Sequence, residues 1–70
     1  FTFDKKYIGK NIWICFPCLG DWYLYPHDEV MDKRTKYANF KTTKSWEKDG
    51  NYSINPPTRR DVELLKNYKL

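Results

Sequence analysis

The chain has 70 residues and a mass of 8.5 kDa, which is enough for one small domain or a piece of a larger one. With 40% hydrophobic and 19% aromatic residues, its core must be built from few, large side chains, and a disordered chain is excluded. The net charge is +4, and no apolar run reaches the roughly 18 residues of a membrane span, so we expect a cytoplasmic protein without a membrane partner.

The first third of the chain has the pattern of β-structure. Phe1 to Asp4 alternate apolar and polar residues, as in or beside a strand. Two β-rich runs follow at 11–16 and 22–25, and the Pro- and Gly-containing segment between them predicts an antiparallel hairpin over about 11–25. Because both runs are almost continuously apolar, we expect both faces of the hairpin to be buried, in part by chain outside these 70 residues.

The middle of the chain predicts little regular structure. Acidic residues after Pro26 favour a helical turn or two over 26–32. A short strand is expected over 38–42, and a turn at 49–51. Residues 33–57 otherwise carry no sustained period and form an irregular, polar segment.

The last segment predicts an amphipathic helix over about 58–68. Thr58 followed by Asp61 has the spacing of a capping box, and Val62, Leu65 and Tyr68 recur at helical intervals. The sequence therefore predicts an α+β fold with a short antiparallel sheet and a C-terminal helix, as a single small domain or a piece of a larger domain.

The positive charge is concentrated in the middle of the chain. Residues 1–30 have a net charge of −1, whereas residues 31–60 contain eight Lys or Arg against three acids. Cations interleaved with aromatic residues are typical of a phosphate-contacting surface, although a solvated Lys-rich face has the same composition. The predicted nucleic-acid contacts are Lys33, Arg34, Lys36, Lys41, Lys44, Trp46, Arg59 and Arg60.

Two of these residues open the predicted C-terminal helix. Arg59 and Arg60 fall in its first turn, where free N–H groups favour an anion, so they could hold one phosphate. The alternative is that a nearby acid, Asp61 or Glu63, offsets them and nothing binds. Elsewhere, Trp46 or Tyr52 could stack on a base or pack beneath the patch.

The two cysteines leave three interpretations. Cys15 and Cys18 have the spacing of a redox pair, but the β-rich run after them leaves no room for the helix that such a pair needs. With His27 and an acid such as Asp28, they could instead bind zinc. Two buried cysteines acting as small apolar residues is the interpretation we favour. No complete catalytic set is present, so no catalytic residue is predicted.

The order of several segments resembles a known family. The segments are Ile12-Trp13-Ile14-Cys15, Trp22-Tyr23-Leu24-Tyr25-Pro26, Lys44 to Ser53 with its Ser-Trp and Gly-Asn-Tyr elements, and Leu64 to Leu70. Together they resemble the C-terminal part of PD-(D/E)XK-type nucleases of the restriction and repair kind. The resemblance covers most of this chain but only the last portion of such an enzyme.

The resemblance implies a non-catalytic end of a DNA endonuclease domain. Such domains cut DNA with magnesium held by carboxylates, which are expected upstream, so no cofactor is expected within this chain. Asp4-Lys5-Lys6 fits the D-x-K letters, but the helix that usually follows is missing, and no catalytic role is assigned to it. The expected partners are DNA and either the rest of a longer chain or a second copy. The rival interpretations are a small SH3-like protein-interaction module and a zinc-stabilised module.

Overall fold

The computed structural model describes residues 1–70 as two antiparallel sheets, each of two strands, combined with two α-helices. The molecule measures 32 × 25 × 19 Å along its principal axes. The predicted α+β class is confirmed, whereas the SH3-like alternative is not met because the two sheets are separate and do not form a barrel. The elements are β1 (Thr2–Asp4), β2 (Trp13–Cys18), β3 (Asp21–Pro26), α1 (His27–Tyr37), β4 (Asn51–Ser53) and α2 (Arg59–Leu65).

The hairpin predicted over 11–25 is confirmed as β2 and β3, which pair from Trp13 opposite Pro26 to Cys18 opposite Asp21. Its turn is shorter than expected, because only two residues, Leu19 and Gly20, connect the strands. Both have positive φ values, 51° and 83°, which is the backbone of the two-residue turns that match the twist of a hairpin.

The two faces of this hairpin differ, which corrects the expectation that both are buried. Strand alternation turns Tyr23 and Tyr25 inward, and they are 7% and 0% exposed. The opposite face carries Trp13 and Trp22, each 55% exposed. An unbroken apolar run therefore indicated apolar residues on both faces here, but only one face is covered within these 70 residues.

The second sheet joins the start of the chain to a segment fifty residues later. β1 pairs with β4 so that Phe3 lies opposite Tyr52, and the expectation of a strand at the start of the chain is confirmed. Phe3 is fully buried and stacks on Phe40, which in turn stacks on Tyr52 with 5.0 Å between ring centroids. This aromatic column forms one side of the core.

The helix expected over 26–32 extends further, to Tyr37. Its buried stripe is His27, Val30, Met31 and Arg34, so the helical spacing continues, but its last member is a charged residue. The sequence predicts a helix that ends near residue 32, one residue after Met31. The structure continues it because Arg34 is buried against an acid from another helix.

The C-terminal prediction is confirmed in its start and corrected in its packing. Thr58 and Asp61 form a full capping box, α2 runs to Leu65, and a 3₁₀ turn covers Lys66–Tyr68. Leu65 is buried as expected. Val62 is 36% exposed, however, because Asp61 takes the inward position beside it.

No strand forms over 38–42, which corrects the strand expected there. Phe40 instead inserts into the core, where Trp46 meets its ring edge-on at 5.0 Å. Trp46 belongs to a single π-helical turn, Ser45–Asp49, which ends at Gly50 with a φ of 75°. The turn predicted at 49–51 coincides with this left-handed residue. None of the helices in this fold has the length and apolar character needed to cross a membrane.

Candidate nucleic-acid interface

Arg34 was predicted to contact phosphate, but it is an interior residue that is only 6% exposed. Its Nε lies 2.7 Å from Oδ1 of Asp61, and Nη1 donates a hydrogen bond of 2.5 Å to the carbonyl oxygen of Ala38. A guanidinium group placed in this way joins α1 to α2 and closes the C-terminal end of α1. It is therefore not free to contact a phosphate in solvent.

Asp61 lies at the centre of this junction and is fully buried. Its carboxylate accepts hydrogen bonds from the Tyr37 hydroxyl and from the Thr58 backbone N–H, the latter at 3.0 Å. Burial alone raises the pKa of Asp61, but these hydrogen bonds and the Arg34 charge outweigh burial and hold the pKa below its ordinary value. The junction is thus a buried ion pair, in which Arg34 Nε lies close to the Asp61 carboxylate but makes no hydrogen bond of its own.

The aromatic residues proposed to meet a base are also enclosed. Trp46 is 5% exposed, and its ring packs against Phe40. Tyr52 is half-buried and stacked on the same phenylalanine. Trp46 therefore packs beneath the surface, the second of the two roles considered for it, and does not present a free face for stacking.

The other predicted cations remain at the surface, and so does Lys48, which was not among the predicted contacts. Between residues 36 and 60, every Lys and Arg is exposed, and none has an acidic partner within 4.0 Å. These six residues are here called the free cations: Lys36, Lys41, Lys44, Lys48, Arg59 and Arg60. Exposed, unpaired cations on a small domain are the groups from which phosphate contacts are made.

Lys33 is intermediate between the buried Arg34 and the free cations. Its ammonium group donates a hydrogen bond of 2.8 Å to the Tyr68 hydroxyl and lies 3.8 Å from the carboxylate of Glu29. The Tyr68 hydroxyl in turn donates a 2.5 Å hydrogen bond to Glu29. The hydrogen bond to Tyr68, together with the nearby negative charge, raises the pKa of Lys33. This lysine is exposed but already has an acidic partner, so a phosphate would have to compete for it.

Arg59 and Arg60 open α2, where they were predicted to hold a phosphate. The first turn of this helix is closed from within, because Thr58 Oγ1 accepts the Asp61 N–H and Asp61 accepts the Thr58 N–H. The acid considered as the alternative thus takes the capping role. Arg60 extends over the ring of Tyr37, with its guanidinium carbon 4.7 Å from the ring centroid. Both arginines remain available as surface charges, but not as part of an open helix terminus.

A further cation joins this surface from the distant start of the chain. Lys5 Nζ lies 5.4 Å from the Trp46 ring centroid, and the Lys5 side chain passes Gly50. A backbone hydrogen bond of 2.7 Å from the Lys5 N–H to the Gly50 carbonyl fixes this approach. Lys5 therefore lies beside the turn that carries Lys44 and Lys48. No local pattern in the sequence could have shown a contact across 40 residues of chain.

The structure does not bring together the residues considered for zinc. Cys15 and Cys18 are three positions apart on one strand, so their side chains leave opposite faces of the hairpin. His27 is fully buried, with Nε2 accepting the Asp4 N–H at 3.0 Å and Nδ1 2.8 Å from Asp28. No three His, Cys, Asp or Glu side chains form a group that could hold a metal ion. Cys15 is exposed, which also corrects the view that both cysteines are buried.

Comparison with protein-family models, curated proteins and solved structures finds no match to this chain. Within the chain, the predicted cations that the fold leaves exposed and without an acidic partner, together with Lys48, are the groups accessible to a ligand.

Proposed function

We propose that this chain binds DNA through its free cations, as the non-catalytic C-terminal portion of a restriction- or repair-type endonuclease domain in the cytoplasm. The observation that carries the proposal is that six surface cations between residues 36 and 60 have no acidic partner in the fold. The nuclease context rests on the order of the sequence segments alone.

The fold already neutralises part of the positive charge of the chain. Arg34 is paired inside the protein, and Lys33 and Lys69 have acidic partners at the surface. Folding therefore satisfies these cations and leaves the free cations to be balanced by solvent ions. A polyanion that replaces those ions gains affinity by releasing its own counterions, and this affinity falls steeply with salt.

The free cations, with Lys5, form two clusters, each beside an aromatic ring. One cluster lies at the junction of α1 and α2. There the Arg60 guanidinium lies over the Tyr37 ring, and Lys36 precedes Tyr37 in the sequence. The other surrounds Trp46, with Lys5 over the ring and Lys44 nearby. Because phosphates recur about every 3.4 Å of rise along one strand, a molecule 32 Å long can lie against several of them.

The structure shows no group of three His, Cys, Asp or Glu side chains that could hold a metal ion such as magnesium. The family that the sequence resembles holds magnesium with clustered carboxylates, and no such cluster of three acidic, Cys or His side chains is present here. These residues form no site for a metal-dependent cleavage step. The chain's contribution is to position DNA, since phosphate contacts fix register and orientation but carry no sequence information.

The test is DNA binding measured by fluorescence anisotropy with a labelled duplex of about 20 base pairs, over a series of salt concentrations. We expect the affinity to fall at least about 10³-fold between about 50 and about 200 mM salt if six contacts form. Lys41→Gln with Lys44→Gln should reduce the slope of log K against log salt by about 1.8. Arg59→Ala with Arg60→Ala should weaken binding further.

The matched control removes a lysine that already has an acidic partner. Lys69 lies 3.5 Å from Asp21, so Lys69→Gln should leave the salt slope nearly unchanged. An affinity that does not depend on salt, or an equal loss from Lys69→Gln and from the free-cation variants, would contradict the proposal.

A further inference from the structure

The outward face of the β2–β3 hairpin is apolar from end to end. Strand pairing arranges its residues in three cross-strand pairs, all on the side opposite the core. The pairs are Trp13 with Pro26, Cys15 with Leu24, and Pro17 with Trp22. These six residues are here called the hairpin face. Nothing in the 70 residues covers it, since five of the six are exposed and Pro26 is partly so.

The hairpin face has the composition of the centre of a protein interface. It contains two of the three tryptophans in the chain and no charged residue. Interface centres are depleted of charge and enriched in Trp, whereas the solvated face of an antiparallel sheet normally carries polar residues. The nearest charge along the strands, Asp21, is turned to the other side of the sheet and paired with Lys69 at 3.5 Å.

We infer that the hairpin face binds the same face of a second copy of this chain. The arrangement of its residues carries this choice of partner. Trp13 and Trp22 lie at diagonal corners, and each has a proline opposite it on the neighbouring strand. When two such faces meet about a two-fold axis in the plane of the sheet, along or across the strands, every tryptophan lies over a proline of the other copy.

Pairing of two hairpin faces also brings no electrostatic repulsion at the contact. Each copy carries a net charge of +4, but the hairpin face has none of it, so association brings no like charges together at the contact. The free cations belong to the segment from 36 to 60, and a dimer formed through the hairpin leaves them exposed on both copies.

The exposed area sets the expected strength of the dimer. Trp13 and Trp22 are 55% exposed and Leu24 is 36% exposed, so with Cys15 and Pro17 the face offers about 500 Å² per copy. Two copies would bury about 1,000 Å², which is the lower limit for a specific interface. We therefore expect a reversible dimer with a dissociation constant in the micromolar range.

The test is sedimentation velocity on the 70-residue chain between about 1 µM and about 500 µM. We expect a reversible, saturable change from monomer to dimer. Trp13→Ser with Trp22→Ser should raise the dimer dissociation constant at least about 10-fold. Ile8→Ser is the matched control, because Ile8 is also exposed, at 43%, but lies outside the hairpin. It should leave the dissociation constant unchanged, and circular dichroism checks that each variant is folded.

The cysteines give a second readout that does not depend on a destabilising change. Cys15 is central in the hairpin face, while Cys18 points to the core side of the same strand. A short bismaleimide should therefore join two copies of Cys18→Ser but not two copies of Cys15→Ser. The inference is overturned by a monomer at all concentrations, by open-ended aggregation, or by an equal effect of Ile8→Ser. If the hairpin face binds only a different protein, the chain will be a monomer at all concentrations.

Discussion

Arg34 and Lys36 lie two positions apart on α1, and the fold uses them in different ways. Arg34 is 6% exposed and pairs with Asp61 at 2.7 Å, whereas Lys36 is exposed without an acidic partner. The junction of α1 and α2 thus contains charge that holds the fold together, and the segment from 36 to 48 contains charge that the fold does not need. Only the second kind is available to a ligand.

The largest effect should come from breaking the charged junction. Asp61→Asn leaves the Arg34 guanidinium buried without its counter-charge and weakens the hydrogen bond from Tyr37, so we expect a loss of about 3–5 kcal/mol. For a domain of this size that is a fall in Tm of at least about 12 °C, measured by thermal unfolding followed by circular dichroism.

A neighbouring acid and a compensating change provide the controls. Glu63 is exposed on the same helix, and Glu63→Gln should change stability by no more than about 0.5 kcal/mol. If Asp61→Asn is unfolded, Arg34→Met combined with Asp61→Asn should recover folding, because it removes the unpaired charge and leaves an apolar side chain in its place. Equal losses from Asp61→Asn and Glu63→Gln would mean that the junction does not hold the fold together.

The sequence predicted local features of the fold well and long-range pairings poorly. The hairpin and the start of α2 follow from turn residues and from the Thr58–Asp61 spacing, which act within a few residues. The end of α1 was missed because its last buried residue is Arg34, whose partner lies 27 positions away. When a charged residue occupies the next buried position of a helix, the sequence indicates that the buried face has ended, unless the residue of opposite charge is known.

The candidate site shows the same division. Composition identified the segment from 33 to 60 as basic, but it could not separate the interior Arg34 from the exposed lysines around it. It also could not add Lys5, which reaches Trp46 only because β1 pairs with β4. In both cases the missing information was a contact between distant parts of the chain.

Acid should lower the stability of the fold, because it protonates the Asp61 carboxylate of the charged junction. The pKa of Asp61 is lowered in the folded chain, and so is that of Asp28, first through its hydrogen bond with His27. The unfolded chain therefore binds protons more readily than the folded one. The stabilisation is complete above the ordinary aspartate pKa of about 3.9 and is lost as the pH falls through that value towards the lower folded pKa.

Urea unfolding measured between about pH 6 and about pH 2.5 gives this dependence. The free energy of unfolding should fall on the acid side, and Asp28→Asn should retain the part of the fall that Asp61 causes. A chain whose stability is constant down to about pH 2.5 would rule out a native carboxylate with a lowered pKa.

The smallest effect on stability should come from the free cations. Lys36 is exposed and has no ion pair to lose, so Lys36→Gln should change the free energy of unfolding by no more than about 0.5 kcal/mol. The same change removes one phosphate contact from the proposed DNA surface and should reduce the salt slope of DNA binding by about 0.9. A variant with native stability and a smaller salt slope would separate binding charge from folding charge. A large loss of stability would instead place Lys36 with Arg34, among the residues on which the fold depends.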